Sequence, residues 1–253
     1  GGNKSINSLV ADVEVERDKR RLCWLCMLGI PLVITFSGGG GALFGVVGAR
    51  PYWHTGLLPI MFIVGGLLSG SALLTTLAYL FGPDRESQAA RDRIVLLGRI
   101  VLGLLAFDAL LEWAEYSVTY YAAVPSTVEG LKLVLFGPYW WVFWIVHLCL
   151  GMVVPASLLI RRRYSVGWVS VASALIAVTF LSVRLNIVIP GLAVAELKGL
   201  ETAFVHPRLS FAYFPSLTEW LIQIWIVSFA ALVFLAGMRW LPIVGHKEEL
   251  THG

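Results

Sequence analysis

Asp108, Glu112 and Glu115 stand four and three residues apart inside one long apolar run, so on a helix of 3.6 residues per turn they fall along a single stripe, with Tyr116 beside it. His147, the pair Arg184 and Asn186, and Glu219 belong to three other apolar runs. A carboxylate at the middle of a membrane span costs about 2.5–3.5 kcal/mol on insertion scales, and three on one stripe must therefore face protein or water rather than lipid. Arg184 is the one cation at comparable depth, and pairing with Asp108, Glu112 or Glu219 would offset part of the desolvation cost. Two arrangements meet these demands. One is a polar clasp that holds the third, fifth and sixth apolar segments together. The other is a polar-lined cleft open to the outer membrane face, with acids that trade protons. Low dielectric favours the neutral form of a carboxyl group, which suits the second arrangement to proton exchange near neutral pH.

The elements that would carry these groups are legible as hydropathy. Six apolar stretches run from about Arg21 to Gly48, Gly56 to Phe81, Ile94 to Ala122, Tyr139 to Ile160, Val166 to Ala193 and Ser216 to Trp240. Each reaches the roughly 20 residues that a helix needs to cross a ~30 Å hydrocarbon core. A mean hydropathy of +0.79 and only 14% charged residues set the chain apart from soluble domains of its size. The expected class is all-α: a polytopic bundle of six transmembrane helices, read as a four-helix bundle with flanking helices. Residues 1–20 form a cytoplasmic N-terminal segment, 21–240 the bundle and 241–253 a cytoplasmic tail.

Charge placement orients the bundle. Fourteen Lys and Arg residues fall on the side of the two termini, against four on the opposite side, Arg50, Lys132, Lys198 and Arg208. The positive-inside rule then puts both termini in the cytoplasm. On that orientation the deep polar groups of segments three to six gather toward the outer leaflet. The net charge of +3 is too small to argue for a nucleic-acid partner, and the expected solvent is the lipid bilayer. The chain opens Gly1-Gly2-Asn3-Lys4, without Met or a charged-then-apolar leader. No cleavable signal peptide is expected, and a truncated polypeptide is.

Other signals have plain packing readings. Cys23, Cys26 and Cys149 all lie within spans, so no disulfide framework is expected, and the Cys23-x-x-Cys26 spacing has no second pair to make a metal site. His147 alone cannot build a di-haem bundle, which takes pairs of axial histidines on facing helices. Ser37 to Gly41, Gly41 to Gly45 and Gly66 to Gly70 suit close approach of the first two helices, or a flat ligand lying on bare backbone. Four consecutive glycines also predict a local break or bulge in the first helix. Tyr52 and Trp53, then Tyr139, Trp140, Trp141 and Trp144, then Phe211, Tyr213 and Phe214 map to the outer interface as an aromatic belt, where a flat ring could also stack. The connection from about Glu196 to Pro215 is the longest and is expected to form an amphipathic cap.

Several strings then resemble one family. Phe107-Asp108-Ala109-Leu110-Leu111-Glu112-Trp113-Ala114-Glu115 is similar to the D-x-x-x-x-W-A-E segment of the membrane subunit of polysulfide reductase, and Pro138-Tyr139-Trp140-Trp141-Val142-Phe143-Trp144 to the start of that subunit's following helix. Gly41 to Gly45, Ala49-Arg50-Pro51-Tyr52-Trp53, Ser69 to Leu74, and Arg184-Leu185-Asn186 with Ile189-Pro190-Gly191 resemble the membrane subunits of alternative complex III and of the sulfite-reduction-associated complex. The likeness runs from about Gly41 to Glu219.

Resemblance to this NrfD/PsrC family implies an integral subunit in the cytoplasmic (inner) membrane of a prokaryote. It implies a quinone, menaquinone or ubiquinone, as the redox partner near the outer leaflet, no haem or iron–sulfur cluster of its own, and electron exchange with a ferredoxin-like iron–sulfur subunit docked outside, among other membrane and redox subunits. Asp108 matches the family's acidic position. Where the family carries a histidine near the start of the preceding helix, this chain has Met61. Larger relatives hold eight to ten helices in two similar four-helix bundles, so the chain is also readable as the second bundle of a longer subunit. In that case Asp108, Glu112, His147 and Arg184 would serve proton movement. A proton-coupled secondary transporter and a purely structural anchor stand as the alternatives.

Overall fold

The computed structural model describes residues 2–82, 87–161, 165–194 and 215–240, with side chains from residue 17 onward. Its elements are α1 (Gly2–Gly45), α2 (Leu58–Phe81), α3 (Gln88–Ala122), α4 (Pro125–Phe136), α5 (Val142–Ile160), α6 (Val166–Ala193) and α7 (Leu217–Trp240). All except α4 are long and apolar enough to span a bilayer, which makes six spans. The hydropathy boundaries recur within a few residues, save that the first helix continues back to Gly2. The outer connection beyond Val194, the belt residues Phe211, Tyr213 and Phe214, and the tail 241–253 lie outside the described residues.

Four helices share one core. Leu68 and Ala72 of α2 meet Val101 and Leu105 of α3, Met152 and Leu159 of α5, and Val169, Ala172 and Ile176 of α6. Lipid tails are as apolar as these side chains, so close packing rather than water exclusion holds the helices, and small residues let backbones approach. A Cβ added to Gly98 would stand 2.6 Å from Val169 Cγ1, and one on Gly65 would stand 2.6 Å from Phe180 Cζ. Outside this bundle α1 packs on α2, while α7 buries no residue and meets α2 through Phe234 against Phe81, ring centroids 5.8 Å apart.

The glycine run does not break α1, which is helical throughout. Hydrocarbon offers the backbone no alternative partner, so the intrahelical ladder persists through Gly38 to Gly41. The glycines serve contact instead: a Cβ on Gly41 would lie 2.6 Å from Pro59 Cα, and one on Gly45 3.0 Å from Thr55 O.

Irregular winding occurs elsewhere. Val142–Val153, the first part of α5, is a π-helix in which Val154 N–H bonds Cys149 O, five residues back. Such winding is usually confined to single-turn bulges, often at functional sites. Helix α4 was not expected from hydropathy. It starts with Pro125 in its first turn, just after Ala123 closes α3 in the left-handed region at φ 52°, and it ends at Gly137. Gly130, Leu131 and Val134 form its buried face, and Glu129 and Lys132 are more accessible. Its twelve residues reach about 18 Å, short of the ~30 Å core, so it packs on α3, α5 and α6 without crossing.

Candidate functional site

Proline at the end of α6 creates the first part of the site. Pro190 has no N–H, so the carbonyl four residues back, Asn186 O, has no helical partner. It accepts instead from Tyr52 OH at 3.3 Å, while Ile187 O accepts from Trp53 Nε1 at 2.7 Å and Val194 O from Arg50 Nη1 at 3.2 Å. The α1–α2 connection is thereby stapled to the end of α6. Glycines make room for it: a Cβ on Gly191 would overlap the Trp53 indole, and one on Gly130 of α4 would overlap the Tyr52 ring. Trp53 is buried and Tyr52 half-buried, so both rings turn into the protein instead of anchoring at the interface. Burial first, and then the carboxylates of Glu112 and Glu115, push the Tyr52 phenol well above its ordinary pKa, which keeps it a hydrogen-bond donor.

Beneath this staple the three acids of α3 form a ladder. Glu115, nearest the helix end, accepts from Thr55 Oγ1 at 3.1 Å. Glu112 is engaged on both oxygens: Oε1 accepts from Tyr116 OH at 3.1 Å, and Oε2 is hydrogen-bonded to His147 Nε2 at 2.8 Å. The imidazole comes from the middle of the π-wound segment and packs on Phe143, ring centroids 5.7 Å apart. Asp108 lies one turn deeper, about 6 Å by helical rise, and is 8% exposed.

Voids border these groups. A surface groove of about 400 Å³ is lined by Tyr52, Thr55, Glu115 and Thr119, and the same four side chains line an inner cavity of about 40 Å³ that also touches Glu112, Tyr116 and Asn186. That inner volume exceeds the 10–15 Å³ or so that one water needs. A further void of about 10 Å³ touches Asp108, His147 and Thr179. Asn186 stands at a boundary: it lines the inner cavity and also an apolar groove of about 650 Å³ between α4 and α6. Its side chain is 7% exposed, and its Nδ2 has no hydrogen-bond partner among the described residues.

Seven of the eight residues singled out from the sequence belong to this region: Asp108, Glu112, Glu115, Tyr116, His147, Arg184 and Asn186. Arg184 does not make the ion pair expected of it. No described carboxylate lies within 4.0 Å, and the guanidinium stacks on Phe62 at 3.8 Å and faces Phe180 at 5.6 Å, with Asp108 as its electrostatic neighbour. Cation–π contact suits a half-buried guanidinium that packing holds away from the acids. Glu219 is placed apart from the cluster, in the first turn of α7, where Ser216 N–H and Oγ donate to its Oε2 at 2.6 and 2.9 Å. The pair is a local capping box on an exposed helix. Sequence reading missed Thr55 and the inward turn of Tyr52 and Trp53. The available signal was Pro190 with Gly191, which together demand an outside donor and a bare backbone. The three cysteines are free and face outward. No group of three His, Cys, Asp or Glu side chains converges on a metal-sized point among the described residues.

A multi-pass helical membrane protein with an acid, imidazole and phenol cluster at one end of a four-helix bundle is the class these observations define. The chain matches the family described as polysulphide reductase, NrfD, over residues 5–196, and it belongs to that family. It is 30% identical over 91% of its length to a selenate reductase subunit of Mesobacillus selenatarsenatis, covering 55% of that protein. It is 27% identical over 98% of its length to the Hdr-like menaquinol oxidoreductase integral membrane subunit of Archaeoglobus fulgidus, covering 64%. To a putative dimethyl sulfoxide reductase membrane subunit of Halobacterium salinarum it is 26% identical over 90% of its length, covering 55%. The chain thus spans 55% to 64% of the length of these relatives.

Proposed function

We propose that this chain is the quinone-interacting part of an integral membrane subunit in a multisubunit oxidoreductase, with the α4 end facing outward in a prokaryotic cytoplasmic membrane and both termini inside. A quinone takes up two electrons and two protons on reduction and returns them on oxidation. The residues fit such a carrier: the groove between α4 and α6 is large enough for a ring, largely apolar, and bordered by Asn186, whose buried Nδ2 has no partner among the described residues. In this reading the Asn186 side chain turns to present its Nδ2 to a ring carbonyl, and the inner cavity relays protons to Glu112, whose oxygens are held by Tyr116 and His147. Glu115, between that cavity and the surface groove, exchanges them with the outer solution. Asp108 is the deeper proton acceptor, and Arg184, fixed over Phe62, sets the field it feels.

The observation that carries the reading is the position of Asn186, shared between an apolar groove and a polar cavity. Similarity to the Archaeoglobus menaquinol oxidoreductase subunit supports the choice of carrier. Electrons would leave or enter through an iron–sulfur subunit at the α4 end, as the family resemblance implies. Helices broken at the bilayer midplane are common in secondary transporters, and the glycine run would suit such a break, but α1 is continuous.

The test is quinol-linked turnover of the native complex. Asn186→Leu should raise KM for the quinol with little change in kcat. Glu112→Gln and Asp108→Asn should lower kcat by about 10²-fold, in the range for lost acid–base catalysis, while the complex assembles normally. Unchanged turnover in all three variants would leave only the structural-anchor reading.

A further inference from the structure

At the end of the bundle opposite α4, a crevice of about 960 Å³ lies between the end of α2, the start of α3, the start of α6 and the end of α7. The proton cluster has no part in it. It runs along α2 from Gly82 back to Leu74, a depth of about 12 Å, which is the thickness of a headgroup layer and the first part of the acyl chains. Its character changes with depth. Gln88, Arg91, Asp92 and Arg93 line it where α3 begins, whereas Leu74 and Leu77, one to two turns back along α2, line it with Ile94 and Phe234. Among the described residues, the mouth carries two guanidinium groups against one carboxylate. That carboxylate is already engaged, because Asp92 Oδ1 accepts from Gln88 Nε2 at 3.0 Å. Arg93 donates Nε to Ala89 O at 3.2 Å, a bond that fixes its stem and does not use its terminal nitrogens.

From this we infer that the crevice is a binding site for an anionic phospholipid, whose phosphate is held by Arg91 and Arg93 and whose acyl chains lie against Phe81, Ile94 and Phe234. The occupant must be an amphiphile because the crevice is polar where α3 begins and apolar further along the helices, and it must be an anion because, among the described residues, two guanidinium groups flank that polar end against one carboxylate. Arginine suits this role, since its planar donors pair with phosphate oxygens in a fixed geometry. Basic pockets between spanning helices are where anionic headgroups are retained. Such a lipid would also fill the space beside α7, an otherwise little-packed helix that borders the crevice through Phe234 and Met238.

The test is native mass spectrometry of the protein, extracted with its partners and exchanged into nanodiscs of phosphatidylcholine containing a minor fraction of phosphatidylglycerol. Wild type is expected to retain phosphatidylglycerol well above its share of the bilayer. The double variant Arg91→Gln with Arg93→Gln should lose that preference by about tenfold or more. Arg161→Gln, an exposed arginine at the same end but outside the crevice, should retain it. Ala78→Phe, which fills the interior and leaves the charges in place, should evict the lipid and guards against misfolding of the arginine variant. Equal retention of both lipids by wild type, or undiminished retention by both crevice variants, would overturn the assignment.

Discussion

Glu112 is the side chain on which three features converge: a phenol one turn along its own helix, an imidazole from a π-wound segment, and a cavity large enough for water. A carboxyl group at that depth is tolerable because both its oxygens are engaged; half-satisfied polar networks in hydrocarbon cost far more than complete ones. Tyr52 supplies a consequence of its own. Its phenol is held above the ordinary value near 10, so folding favours the neutral form. The stabilisation is therefore complete below about pH 10 and is lost as pH rises beyond it, when the unfolded chain ionises first. Melting of the detergent-solubilised protein should show a steeper alkaline decline in wild type than in Tyr52→Phe, and parallel declines would remove Tyr52 from the network.

At the level of the elements, the staple between the α1–α2 connection and α6 positions the site. Its members lie 134 and 144 positions apart in sequence, and each uses a carbonyl near the Pro190 interruption. Gly191→Ala would force its Cβ into the Trp53 indole, and overpacking of this kind costs about 1–3 kcal/mol. Thermal unfolding should register that loss, and Trp53→Ala in the same background should recover part of it by making room. A control at Gly70, where a Cβ meets nothing within 4 Å, should be nearly neutral.

On the scale of the whole molecule, orientation decides what the site can exchange with. The arginine-rich start of α3 and the start of α6 lie opposite the end that carries α4 and Glu115. If the positive-inside reading holds, His54→Cys, exposed in the α1–α2 connection, should react with a membrane-impermeant maleimide in intact cells. Cysteine at Gln88, by contrast, should react only after permeabilisation. The reverse pattern would place Glu115 and its groove on the cytoplasmic side and remove the outward exchange of protons from the proposed function.

Hydropathy along the chain was enough to determine the class, the six spans and the presence of Asp108, Glu112 and Glu115 on one inward stripe, because insertion energy is a local sum and helical spacing is a fixed geometry. The tertiary structure alone decided which partners those groups meet. It turned Tyr52 and Trp53 inward, gave Arg184 an aromatic ring in place of an acid, left Glu219 as the cap of an exposed helix, and wound the first part of α5 wide around His147. Those outcomes depend on contacts between residues far apart in sequence and on how each helix is rotated about its axis, neither of which an apolar run encodes. Pro190 shows the division most clearly: that its missing N–H leaves Asn186 O without a helical donor follows from the residue type, but that the donor is Tyr52 follows only from the packing of α1, α2 and α6.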